Sequence, residues 1–151
     1  MKSPKGESGM PAADATLSFA LNHRTDALVG FGLGGPELGV PRGQFQPHFD
    51  HARRAGLHSV PHAGETTGPE TIWDSLTLLG AERIGHGVRL REDPVTLEYA
   101  RLHAVPLEAN LTSNVRLGAV KSYREHPYLH FLRLGLKVSL STDDEGIFGT
   151  D

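Results

Sequence analysis

Five short apolar runs, each ending in glycine or polar residues and each separated from the next by a helix-like stretch, constrain this chain most. The runs are DALVGFGLGG (26–35), LHSV (57–60) leading into PHAGE (61–65), ERIGHG (82–87), AVPLEAN (104–110) and LKVSLSTDD (136–144). A helix over 11–23 precedes the first run, and residues 46–55, with Phe49 and Ala52, form the next before a stop at Gly56. A third opens near Thr67 or Gly68, has Pro69 in its first turn, aligns Ile72, Leu76 and Leu79, and closes at Gly80. Asp93-Pro94 opens a fourth carrying Val95, Leu97 and Leu102, and HPYLHFLRLG (126–135) forms the last. Strands joined through helices pair in parallel, because each crossover returns the chain to the same end. Apolar runs without alternation suit strands covered on both faces.

Two α/β architectures fit this pattern: an open doubly wound sheet and an arc of a (β/α)8 barrel. An open sheet gathers its site where strand order reverses. A barrel draws groups from many strand ends on one face. Here every run ends in GLGG, HAGE, GHG, EANLTSN or STDD, which favours the barrel. A whole barrel takes about 250 residues, and this chain has 151. The expectation is therefore a partial TIM (β/α)8 barrel of about five βα units, with residues 1–9 a disordered lead and 10–151 the barrel portion. No helix is expected after the last strand, because EGIFGTD follows its tip directly.

Composition removes several classes of function. Fifteen Lys and Arg against 18 Asp and Glu give a formal charge of −3, which argues against a basic surface for nucleic acid. With no cysteine, disulfides, thiolate nucleophiles and Cys-ligated zinc are excluded. No apolar run reaches the roughly 20 residues of a membrane span. The opening MKSPKGESGMPAADA lacks the apolar centre of a signal peptide, so a cytoplasmic protein is expected.

The strand tips carry the chemistry. His62 and Glu65 lie three apart in PHAGE, where an imidazole can ligate zinc and a carboxyl can move a proton. His86 stands between two glycines. Asp143 and Asp144 are adjacent carboxylates at a strand end, a pair that a cation would stabilise. GFGLGG lacks the order of a dinucleotide loop and is expected to offer a backbone N–H to a ligand. Glu108, Asn110, Ser113 and Asn114 are expected to tie loops together through backbone bonds. Glu37, Arg83 and Arg89 are expected in structural ion pairs, and the other histidines, His126 among them, are given no role. His62, Glu65, His86, Asp143 and Asp144 make a nitrogen and oxygen set that suits a zinc-activated water. His86 is left open between third ligand and base.

The strings VGFGLGGPELG, SVPHAGET, ERIGHGV, PLEANLTSN and VSLSTDDEGIFGT resemble, in order and spacing, the adenosine deaminase family over roughly residues 12–151. The resemblance implies the C-terminal part of a zinc-bearing (β/α)8 barrel, about strands four to eight. It also implies a reaction that replaces the 6-amino group of a purine with oxygen and releases ammonia. By the same resemblance His62 and Asp143 are zinc ligands, and Glu65 protonates purine N1. His86 is base and electrostatic partner of the attacking water, Asp144 holds purine N7, and the Gly35 N–H meets purine N3. Ser113 and Asn114 match the TSN segment of microbial members.

Two features depart from the family. Its HxH zinc pair occurs nowhere in this chain, so the remaining histidine ligands are expected outside it. The isolated chain is then expected to be inactive and to need an N-terminal half or a complementing chain. GLGGPE also replaces the family's DLAGDE-like loop, removing two carboxylates near the sugar or purine. Adenosine or deoxyadenosine is the expected substrate, with aminodeoxyfutalosine or adenine as alternatives and a non-catalytic barrel remnant as a further one.

Overall fold

A computed structural model of the chain describes residues 9–150. Apart from Gly9, the expected lead over 1–9 lies outside the described residues. The order of elements is α1 (Met10–Asn22), β1 (Gly30–Phe31), α2 (Gln46–Arg54), β2 (His58–Ser59), β3 (His62–Ala63), α3 (Glu70–Thr77), β4 (Ile84–His86), α4 (Pro94–Leu102), β5 (Leu107–Ala109), α5 (Leu111–Arg116), α6 (Tyr128–Arg133), β6 (Val138–Leu140) and α7 (Glu145–Phe148).

All strand pairs are parallel and follow chain order, β1 beside β2 and β3-β4-β5-β6 in sequence. Pro61, which has no N–H to donate, divides one strand into β2 and β3. The ladder from β1 nonetheless runs across the break, with Val60 N–H donating to Phe31 O at 3.0 Å and His62 N–H to Leu33 O at 2.8 Å. The expected five strands are thus present, one of them in two pieces. An order without reversal is that of a barrel arc, not of a doubly wound sheet.

Two apolar layers hold the helices against the strands. Ala63, Ile84 and Leu107 of the sheet pack with Ile72 and Leu76 of α3, Ala100 of α4 and Phe131 of α6. Leu17 and Ala20 of α1 pack with Phe31 of β1 and with Phe49 and Ala52 of α2. The Phe31 and Phe49 rings meet edge to face at 5.1 Å between centroids. Asp93 caps α4 as expected, its carboxylate accepting from Val95 N at 3.1 Å and Thr96 N at 3.2 Å.

Several expectations are corrected. β1 and β6 are far shorter than 26–35 and 136–144, because the chain turns off the sheet into polar tips. α3 starts at Glu70 and not at Thr67, since the Thr66 and Thr67 amides are held by another side chain. TSN is not a loop but lies within α5. A short α7 does follow the last strand, with Asp144 at its N-terminal boundary. No helix among the described residues is long and apolar enough to cross a membrane.

Candidate active site

Because the strands run parallel, their C-terminal ends share one edge of the sheet. Gly34 and Gly35 follow β1, His62 and Glu65 lie on and just after β3, His86 ends β4, Asn110 follows β5, and Asp143 and Asp144 follow β6. A single cleft of about 410 Å³ is lined by Gly35, His62, Glu65, His86, Asp143 and Asp144, together with Pro36, Leu117 and Phe148. Every residue singled out for metal, catalysis or substrate is in that set. Asp143 is half-buried, whereas Asp144 is exposed at the rim.

The backbone is strained where the site needs it. His86 has φ 66° and Asp143 φ 62°, the left-handed region that non-glycine residues avoid. Such conformations cost about 1–3 kcal/mol each and persist where surrounding packing enforces them. His62 requires a glycine beside it: a Cβ on Gly85 would sit 2.5 Å from His62 Cδ2. With that space open, His62 Nδ1 approaches His86 Nε2 to 3.2 Å. One ligand atom from each of His62, Glu65 and His86 lies within 4.8 Å of the other two. Asp143 Oδ2 lies 3.7 Å from His86 Nε2, and Glu65 Oε1 lies 3.5 Å from His86 Nδ1. This nitrogen and oxygen set without sulfur fits zinc or a similar divalent metal.

Burial pushes the Glu65 carboxyl up to about 7, and the negative charges of Glu37 and Asp143 add to this against the opposing Arg42. Burial also lowers His86 to about 4, helped by neighbouring His62 and opposed by Asp143 and Glu37.

Glu37 meets the expected ion pair and does more. Its Oε1 lies 3.0 Å from Arg42 Nη2, both side chains being buried. Its Oε2 accepts from the backbone N–H of Glu65 at 3.1 Å, Thr66 at 2.6 Å and Thr67 at 2.9 Å, and from both threonine hydroxyls. Burial opposes its ionisation, but the Thr67 and Thr66 amides and Arg42 outweigh this and hold its carboxyl below the usual range. Glu37 therefore pins the loop that aims Glu65. Arg83 and Arg89 form ion pairs as expected, with Glu108 and Glu92. The Glu108 carboxylate thus goes to an arginine and not to a backbone bond, and the buried Ser113 hydroxyl finds no partner among the described residues.

Two asparagines depart from expectation. Their side chains do not tie loops through backbone bonds. Asn114 Nδ2 lies 2.9 Å and Asn110 Nδ2 3.2 Å from His86 Nδ1. They are four residues apart across the first turn of α5, so both face the same side. Buried His126, given no role from sequence, bonds through Nε2 to Asn114 Oδ1 at 3.0 Å. The four-residue asparagine spacing was the available signal. For His126 the sequence carries none.

A sequence profile for the family described as adenosine deaminase matches residues 8–151. The aminodeoxyfutalosine deaminase of Streptomyces avermitilis is 53% identical over 148 residues, which cover 97% of this chain and 41% of that protein. The adenosine deaminase of Klebsiella pneumoniae subsp. pneumoniae is 45% identical over 143 residues, 95% of this chain and 43% of that protein. Among solved structures, adenine deaminase from Arthrobacter aurescens superposes with a TM-score of 0.85 at 35% identity, covering 92% of this chain and 42% of its own. The fold is thus part of a TIM barrel, and the chain spans about two fifths of the relatives it matches.

Replacing Glu37 by alanine leaves Arg42 buried without its counter-ion. Chemical denaturation should show a loss of about 3–5 kcal/mol, and unchanged stability would contradict the role given to Glu37. His126 supplies a pH test. Burial, then the Arg91 charge, lowers it from 6.5 to about 4, so the unfolded chain binds its proton first. Stability should fall as pH drops from about 6.5 towards about 4, and His126→Gln should flatten that fall in a series of thermal melts.

Proposed function

The chain belongs to the adenosine deaminase family, and from that premise we propose that the protein carrying it removes the 6-amino group of a purine nucleoside by hydrolysis. The observation that carries the proposal is the convergence of His62, Glu65, His86, Asp143, Asp144 and Gly35 on one cleft. His62 and Asp143 would hold zinc, with further ligands supplied from outside this chain. Bound zinc supplies water acidified from a pKa of about 15.7 towards about 7, and so a hydroxide nucleophile near neutral pH.

The chain's own residues supply the remaining chemistry. Attack at C6 places negative charge on the purine ring, and a neutral carboxyl at N1 absorbs it by giving up its proton. Burial and the charges of Glu37 and Asp143 keep the Glu65 proton on up to about pH 7, which suits Glu65 to that task. His86 faces the attacking oxygen across from Asp143. Gly35, with φ 97° and nothing within 4 Å of a Cβ position, can turn its N–H to the purine. Asp144 at the rim takes the other side of the ring.

Adenosine and deoxyadenosine are the substrates of this reading. Aminodeoxyfutalosine is a second reading, supported by the 53% identity to the Streptomyces avermitilis enzyme, as adenosine is by the 45% identity to the Klebsiella pneumoniae one. Both undergo the same step at the same ring carbon. A small-molecule substrate, a cytoplasmic location and an N-terminal half or complementing chain complete the proposal.

The test is ammonia release by the protein carrying this chain, with adenosine, deoxyadenosine, adenine and aminodeoxyfutalosine assayed side by side. Turnover of at least one of the three nucleosides, abolished by chelation and restored by zinc, is expected. Glu65→Gln should lower the rate by about 10²–10⁴-fold. No ammonia from any nucleoside, or ammonia from adenine alone, would overturn the proposal.

A further inference from the structure

We propose that Asn114 and His126 are positioning residues that fix the His86 ring so that it presents an Nε2–H to the cleft and keeps its Nδ1 as a hydrogen-bond acceptor. This rests on the reading of the cleft as a deaminase site and assigns His86 its part there.

The direction of every bond follows from one backbone group. The Tyr128 N–H can only donate, and it meets His126 Nδ1 at 3.2 Å. His126 Nδ1 is therefore an acceptor, and the hydrogen of the neutral ring lies on Nε2. Burial, which holds His126 down to about 4, keeps it neutral at ordinary pH. Its Nε2–H donates to Asn114 Oδ1 at 3.0 Å. With the oxygen so used, Asn114 directs its amide nitrogen at His86, and Nδ2 donates to His86 Nδ1 at 2.9 Å. The Asn110 amide nitrogen lies 3.2 Å from Nδ1 and 3.3 Å from Nε2 and its Oδ1 has no partner among the described residues, so the direction is set by Asn114 and not by Asn110. An N–H at Nδ1 would meet the Asn114 donor head-on, with the Glu65 Oε1 acceptor farther away at 3.5 Å.

The hydrogen of a neutral His86 is thus left on Nε2, the atom that faces His62 at 3.2 Å and Asp143 at 3.7 Å. From there His86 holds an oxygen by donating to it, and does not begin as the base. Ring orientation is secured equally, since Asn114 is fully buried and His126 is 5% exposed. Both partners come from segments that the metal-bearing strand tips do not include: Asn114 from α5, and His126 from the turn before α6.

Nitrogen NMR of histidine-labelled protein, without substrate, tests this directly. In the native protein His86 should show a pyridine-like Nδ1 and a pyrrole-like Nε2, and His126 the same pattern. Asn114→Asp is nearly isosteric and offers His86 an acceptor, so the two His86 signals should exchange character. His126→Gln retains a donor to Asn114 and should keep the native pattern, whereas His126→Leu should lose it. In turnover, Asn114→Asp should lower kcat by about 10–100-fold with KM little changed. A pyrrole-like Nδ1 in native His86, or an unchanged pattern in Asn114→Asp, would overturn the proposal. The tautomer is read without catalysis, so its failure is distinguishable from failure of the deaminase reading.

Discussion

Parallel pairing in chain order delivers the C-terminal end of every strand to the same edge of the sheet, and the cleft exists because of it. His62, His86 and Asp143 are far apart in sequence, yet β3-β4-β5-β6 are neighbours in register, with Ala63 opposite His86 and Glu108 opposite Ser139. The helices matter mainly as the cover that lets these strands be apolar on both faces. Ile72, Leu107 and Phe131 fill the space between sheet and helices.

On that frame the site is held by groups that would be costly anywhere else. Two non-glycine residues of the cleft, His86 and Asp143, adopt left-handed backbone, and a buried carboxylate is fully saturated by an arginine, three amides and two hydroxyls. Strained conformations and buried charges lower stability unless surrounding contacts offset them. Glu37 shows why they are kept: the carboxylate that takes the amides of the 65–67 loop also raises the proton affinity of Glu65. One residue sets both the place and the charge state of another.

Much of this was legible in the sequence, for physical reasons that differ by element. The strands were visible because apolar runs ending in glycine are short and sharply bounded. Their lengths were overread, since the tips carry the same small residues as the strands. α5 went unseen because Leu-Thr-Ser-Asn-Val-Arg is a six-residue helix whose four central residues are weak formers. The strand-tip residues were legible because they sit in short motifs with small neighbours. The second role of Glu37 was not, because 28 residues separate it from Glu65. His126 reaches Asn114 only through the fold of the intervening turn, and no local pattern announces that contact.

The account stands on the cleft being a metal site held by strand-tip residues. The most direct measurement is anomalous diffraction at the zinc edge from crystals of the protein that carries this chain. The account predicts one peak within bonding distance of His62 and Asp143, facing His86. A zinc-loaded crystal with its peak elsewhere, or with none at these two residues, would contradict it.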